Sequence, residues 1–263
     1  MSFDETLFIG GPRRNMVCWP LREMLEHYAT IRDAVAGTPH VESHDLPTLV
    51  ANTSLIYAFN TFKAISLLLP EMYHESGAVV LRQLWEVSLN LHWIAEDPVL
   101  RAQDFCGFTL VEYRKQISQS GDTQSLADFD TATEEFQKQF RFNDKRGRDR
   151  IQKSFAAANI HDRAIELGEP WTSEYKLIYN LASMHAHGAP GAILHGMFLS
   201  TYPDSDDREN EASALVAIQA VEIMVRDVQL LARMNIIRET GPVLSSYDAF
   251  KKTISKAISA KEN

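Results

Sequence analysis

Apolar residues recur three and four positions apart through most of the chain, a spacing that predicts α-helices rather than strands. The clearest stripe belongs to a helix expected over 47–69, because Pro47 can open a helix in its first turn and Pro70 ends it. The residues predicted to face inward on this helix are Leu55, Phe59, Phe62, Ser66 and Leu69.

A second helix, expected over 74–96, is apolar on nearly every side, which is typical of a central helix. Further helices are predicted, in order, over 20–36, 98–118, 125–140, 148–158, 161–167, 172–186 with Thr172 as N-cap, 192–199, 211–238 and 246–260. A polar, acidic loop is expected over 202–210, and the inward stripe of the helix 211–238 begins at Leu215. No convincing run of alternating strand residues occurs. The sequence therefore predicts an all-α protein, a single bundle of about eight to ten helices.

No linker is long enough to require two domains, so we expect one helical domain over 1–263. It would carry an irregular N-terminal arm over 1–15 and end in the amphipathic helix 246–260, with 211–238 packed beside the central helices. Broad apolar faces on several helices favour a homodimer.

Charge and cysteine content narrow the possible classes of protein. The net charge of −9 argues against broad attraction to nucleic acid or anionic lipid, although the basic run 141–153 could be either a solvated loop or a phosphate contact. Cys18 and Cys106 lie too far apart for a disulfide framework, which favours a reducing compartment. With no secretory signal and no apolar run of about 20 residues, a cytoplasmic protein with no membrane contact is expected.

Arg82 and Glu86 are the first candidates for a functional site. They lie four residues apart in the middle of the apolar helix 74–96, so their side chains share a face and can pair. Buried charges require partners because their desolvation is costly. The pair is either a structural ion pair that sets how the helices pack or part of a ligand site.

The second candidates recur every fourth residue on the helix 172–186 and at its end: Tyr175, Tyr179, Ser183 and His187. Their spacing places them on one side of the helix, with His187 at its C-terminus, where a protonated imidazole is favoured. They form either a core seam or a site in which His187 is a general base or anchors a ligand.

Metal and nuclease patterns are weaker. His185 and His187 point about 200° apart on a helix, so a site with His195 is not predicted, and neither metal nor cofactor is expected. Arg22 and His27 match the arginine–histidine spacing of the helical nucleotide-binding and RNase superfamily, but chance alone supplies roughly one or two such matches.

Two blocks of residues together resemble a bacterial all-helical domain family of unknown function. The first block is Arg82-Gln83-Leu84-Trp85-Glu86, then Trp93-Ile94, Asp97-Pro98 and Arg101; the second is Tyr179, Ser183, His187, Gly188 and Pro190. The resemblance covers residues 50 to 230. It implies an all-helical bundle in which the arginine, glutamate, serine and histidine meet in the interior.

Three functions remain open. The first is a module that binds an unknown small ligand or a protein partner in a polar core pocket built from Arg82, Glu86, Ser183 and His187, with Glu86 orienting Arg82. The second is a metal-independent ribonuclease of a defence or toxin-like system, in which His187 is the general base and Arg82 stabilises the phosphate. In the third, the polar residues only stabilise the core, and the function lies on a surface that the sequence does not identify.

Overall fold

Helices make up nearly all of the chain that the structure, a computed structural model, describes: residues 24–33, 45–69, 74–138, 140–143, 149–151, 158–186, 205–237 and 240–261. The helices are α1 over 24–33, α2 Leu46–Leu68, α3 His74–Glu96, α4 Pro98–Ser120, α5 Thr123–Lys138, α6 Ile160–Leu167, α7 Trp171–Glu174, α8 Asn180–Ala186, α9 Ser205–Arg233 and α10 Gly241–Lys261. A π-helical segment, Tyr175–Tyr179, joins α7 to α8. The predicted all-α bundle is confirmed.

The region after α5 departs from the prediction. Strand β1, Arg141–Asn143, pairs antiparallel with β2, Asp149–Ile151, so the helix expected over 148–158 is wrong at its start. Residues 149–151 carry a single apolar side chain and so offer a helix no apolar face to bury. Pairing with β1 instead satisfies their backbone groups.

The core forms where α3 packs against α2, α8 and α9. All five inward positions predicted for α2 are buried. Asp45 caps α2 by accepting a 2.8 Å hydrogen bond from the Thr48 backbone N–H. At Gly77 of α3 an added Cβ would lie 2.8 Å from Leu69 Cδ2, so the absence of a side chain lets α3 approach the end of α2 closely.

Helix α9 begins and ends earlier than predicted. The segment expected as an acidic loop supplies its first turns from Ser205, because carboxylates near a helix N-terminus favour the helix dipole. At the other end Asn235 adopts a left-handed φ of 58°, and the Ile236 N–H bonds to the Leu231 carbonyl at 2.8 Å. On this helix Leu215, predicted to face inward, is exposed.

Two other helix starts also differ from the prediction. α7 begins at Trp171, and the Thr172 hydroxyl donates to the Ala164 carbonyl at 3.2 Å instead of capping the helix. α10 begins at Gly241 rather than at residue 246. The expected arm 1–15 and the expected helix 192–199 lie outside the described residues.

Within the described part of the chain, no helix combines the length and hydropathy required to cross a membrane.

Candidate functional site

Three polar side chains on α3, Arg82, Glu86 and Asn90, succeed one another at four-residue intervals and therefore share a face of the helix. We call them the α3 polar stripe. α6 and the segment 171–186 pack against α3. The side chains of Arg82 and Glu86 are 21% and 40% exposed, so both are partly open to water.

Tyr179 contacts the Arg82 guanidinium twice. Nη2 of Arg82 donates a 3.0 Å hydrogen bond to the Tyr179 hydroxyl, and the guanidinium lies 4.4 Å from the centroid of the same ring. Glu86 Oε2 is 3.9 Å from Nη2, which is within ion-pair range but too long for a hydrogen bond. The buried Nε of Arg82 has no hydrogen-bond partner among the described residues. Tyr179 rather than Glu86 therefore orients Arg82.

A second guanidinium lies at the other end of the stripe. Arg163 of α6 is buried and donates a hydrogen bond from Nη1 to Asn90 Oδ1. Burial lowers the pKa of Arg163, while the negative charge of Glu86 and the interaction with Tyr179 oppose that shift. Glu86 thus interacts electrostatically with an arginine on α3 and with another on α6.

The π-helical segment presents Tyr179 to Arg82. The Asn180 N–H bonds to the Tyr175 carbonyl five residues back, the pattern of a π-helix. Tyr175 and Tyr179 stack with centroids 5.1 Å apart, and Trp85 packs 5.7 Å from Tyr179. His161 meets Tyr175 edge-on at 4.9 Å. This row of rings fixes the position of the Tyr179 hydroxyl.

Of the second set of candidates, predicted on the helix 172–186 and at its end, only some lie near the α3 polar stripe. Ser183 donates to the Tyr179 carbonyl at 2.5 Å, so its hydroxyl bonds to its own helix rather than to Arg82. His187 lies outside the described residues, as do His195 and the side chain of His185. The described residues contain no group of three or more histidine, cysteine, aspartate or glutamate side chains that could hold a metal ion.

Of the arginine–histidine pair with nuclease-like spacing, Arg22 and His27, the structure describes only the histidine. His27 is buried, with its ring 5.2 Å from that of Phe250 and 6.3 Å from that of Tyr247. Arg22 lies outside the described residues. An imidazole enclosed in this way is not accessible to an RNA phosphate.

Beneath the stripe lies a buried ion pair. Glu174 accepts hydrogen bonds from Trp85 Nε1 at 3.0 Å and from Arg226 Nη2 at 2.9 Å. The Arg226 guanidinium also lies 4.5 Å from the centroid of the Trp171 ring. These contacts join α3, α7 and α9, which fits a structural role.

A serine, an aspartate and a histidine also meet inside the bundle. Ser88 donates to Asp227 Oδ1, and His92 Nε2 lies 3.3 Å from the same oxygen. Asp227 is fully buried. Because the hydroxyl donates to the carboxylate rather than to the imidazole, this is not the arrangement of a hydrolytic triad.

Trp93 and Arg101, both from the first sequence block, form a separate contact with Glu166, which we call the Trp93 clasp. Arg101 lies 3.9 Å from the Trp93 ring and donates to the Trp93 carbonyl at 2.6 Å. Glu166 of α6 accepts from Trp93 Nε1 at 2.8 Å and from Arg101 Nη2 at 2.7 Å. The clasp ties α3, α4 and α6 together, which fits a structural role for these residues.

A comparison with protein families matches residues 49–206, more than half of the chain, to a family of unknown function (DUF5677). The chain belongs to this family. The expectation of a family of unknown function is thereby confirmed. No curated protein and no solved structure matches the chain.

The segment matched to DUF5677 includes the whole α3 polar stripe, α6 and the segment 171–186. Arg226 and Asp227 lie beyond it. Asn90, Arg163 and Glu174 were not among the residues predicted from the sequence. Asn90 continues the four-residue spacing of Arg82 and Glu86 and could have been found, whereas Arg163 and Glu174 come from distant parts of the chain.

Proposed function

We propose that this DUF5677 protein binds a small ligand bearing a carboxylate or phosphate group, and that Arg82 is the residue that holds that group. One observation carries the proposal: the hydroxyl and ring of Tyr179 orient Arg82, the Arg82 side chain is 21% exposed, and the carboxylate of Glu86, at 3.9 Å, is too far away to accept a hydrogen bond from it. A planar guanidinium with donors to spare suits an oxyanion because it can donate two parallel hydrogen bonds.

The contacts of Arg82 limit what binding costs. A long, flexible side chain loses rotamer freedom when it binds a ligand, and the Tyr179 ring and hydroxyl already restrict that freedom in the unbound protein. Arg163 adds a second positive charge on the neighbouring helix. Together they provide local positive charge in a chain of net charge −9.

Glu86 has a moderating role in this arrangement. Its carboxylate is close enough to Arg82 to attract it but does not accept a hydrogen bond from it. A bound oxyanion would experience repulsion from that carboxylate. Glu86 therefore lowers the affinity for anions in general and favours ligands whose other groups can face a carboxylate.

The test is binding of inorganic phosphate and of acetate, measured by isothermal titration calorimetry on the whole chain. Arg82→Gln removes the charge and should weaken binding of the preferred anion by about tenfold or more, the scale of a charged hydrogen bond. Arg114→Gln is the matched control, because Arg114 pairs with Asp130 at 2.6 Å on other helices and should leave binding unchanged.

A variant of opposite sign separates binding from stability. Glu86→Gln removes the competing negative charge and should tighten anion binding. If neither anion binds the unsubstituted protein, or if Arg82→Gln binds as well as Arg114→Gln does, the proposal fails and the stripe is a structural contact.

A second candidate, metal-independent RNA cleavage, also calls for an arginine placed to hold a phosphate. The orientation of Arg82 by Tyr179 supports this candidate, in which Arg82 would hold the phosphate and His187 would be the general base. Incubating RNA with the purified protein and with His187→Ala, in the presence of a chelator, decides between the candidates. Absence of cleavage by the unsubstituted protein removes the nuclease.

A further inference from the structure

An outward row of residues runs the length of α2. Its members follow at alternating steps of four and three, and every one of them is exposed: Leu49, Thr53, Ile56, Asn60, Lys63 and Leu67. We call them the α2 outer stripe. Leu49 and Ile56 are each 58% exposed and Leu67 is 63% exposed, so three large aliphatic side chains lie exposed on one helix face.

The spacing of the stripe is that of a helix-pairing seam. Steps of four and three average 3.5 residues, the repeat with which one helix keeps the same face toward another along its length. The opposite sides of α2 pack against α3, α4 and α9. The core of the protein therefore does not account for the three large aliphatic side chains of the outer stripe.

Charge indicates what covers the stripe. Residues 46–62 contain no charged side chain, although the chain as a whole has a net charge of −9. Two copies of so acidic a chain repel each other over most of their surfaces, and an uncharged helix face reduces that repulsion. This surface fits a second copy of the same chain better than a basic partner.

We propose that two copies associate through their α2 outer stripes, antiparallel, about a two-fold axis near residue 58. Leu49 of each copy then meets Leu67 of the other, and Ile56 meets Asn60, so the same patch serves both copies. Thr53 faces Lys63, and the two Lys63 residues are roughly 15 Å apart at 1.5 Å of rise per residue. A parallel, in-register pair would bring Lys63 against Lys63 and is disfavoured.

Sedimentation equilibrium of the whole chain tests the association. The unsubstituted protein should be a dimer, and Ile56→Lys should raise the dissociation constant by about 30-fold or more, because it replaces an apolar side chain near the centre of the interface with a charged one. Leu215→Lys is the matched control, since Leu215 is an exposed leucine on α9, outside the stripe. A monomeric unsubstituted protein, or a dimer that Ile56→Lys leaves intact, overturns the proposal.

Cross-linking tests the direction of the pair and does not depend on the stability of a lysine variant. Leu49→Cys and Leu67→Cys chains, mixed and oxidised, should give a disulfide-linked dimer of one with the other. Each variant alone should give no more cross-linking than the unsubstituted chain, which carries Cys18 and Cys106. Cross-linking of Leu49→Cys to itself would overturn the antiparallel arrangement.

Discussion

Aromatic rings hold two arginines that are about equally exposed, Arg82 at 21% and Arg226 at 19%, and the polar partners of these arginines differ. Arg226 donates to the carboxylate of Glu174 and lies over Trp171 in the interior. Arg82 donates to a phenol, that of Tyr179, and lies 3.9 Å from the carboxylate of Glu86, too far for a hydrogen bond. A guanidinium hydrogen-bonded to a carboxylate fits a structural role, whereas one held by a neutral hydroxyl can still bind an anion.

Glu174→Gln tests the structural half of this contrast. The amide keeps the size of the side chain but removes the negative charge of the group to which Arg226 donates, so the free energy of unfolding should fall by about 2 kcal/mol in urea denaturation. Glu135→Gln is the control, because Glu135 pairs with Lys138 on the surface and should change stability little. Equal stability of the two variants would contradict the structural role of the Arg226–Glu174 pair.

Two glutamates should respond to pH with opposite signs. Burial raises the pKa of Glu222, with Arg226 opposing that shift and Glu174 adding to it. The hydrogen bond from Trp93, with that from Arg101, lowers the pKa of Glu166 although its partial burial works the other way. A raised folded-state pKa gives stability that is lost as pH rises, and a lowered one gives stability that is lost as pH falls.

Urea denaturation between about pH 4 and pH 7 measures both effects. Relative to the unsubstituted protein, Glu222→Gln should gain stability as pH rises, because the amide avoids ionisation in a buried place. Glu166→Gln should lose stability over the same interval, because it lacks the favoured carboxylate. Parallel curves for the two variants would contradict both assignments.

Among the helices, the segment 171–186 shows most clearly why the site could be predicted only in part. The spacing of Tyr179 and Ser183 was visible in the sequence, and so was that of Arg82 and Glu86. The π-helical turn at Tyr175–Tyr179 carries no local signature, yet it sets which way the tyrosines face. Sequence periodicity therefore found the candidate residues but not that Tyr179 takes the place expected of Glu86.

The same limit applies to the helices as elements. The inward stripe of α2 was predicted in full, because the local periodicity of apolar residues decides which face of a helix is buried. The hairpin of β1 and β2 was missed because strand pairing joins residues that are not neighbours in the sequence. The acidic residues that open α9 were read as a loop because their helix-dipole effect depends on a helix being present.

The Trp93 clasp yields a prediction about how the helices hold together. Arg101→Met keeps an aliphatic stem on the Trp93 ring but removes the hydrogen bonds to its carbonyl and to Glu166. Stability should fall by about 1–2 kcal/mol in urea, an amount reduced by the partial exposure of Glu166. Arg32→Met, which removes only an exposed pair with Asp33, should be nearly neutral, and equal losses would count against the clasp.

Over the whole molecule, charge and apolar surface are distributed unevenly. The chain is acidic, yet two arginines, Arg82 and Arg163, interact electrostatically with Glu86 on one side of α3. The outer face of α2 carries no charge over 46–62. Both departures lie on helices within the segment matched to DUF5677. These two features are the ones on which the proposals of ligand binding and of self-association rest.

Anion binding at Arg82 is tested most directly by nuclear magnetic resonance. The signal of the Arg82 Nε–H group is followed during a titration with inorganic phosphate and, separately, with acetate. The signal is assigned by its loss in Arg82→Gln. If Arg82 binds one of these anions, the Arg82 signal should shift with that anion and saturate, while the Nε–H signal of Arg114 stays in place. An Arg82 signal that does not move, or that drifts without saturation together with that of Arg114, would contradict anion binding at this site.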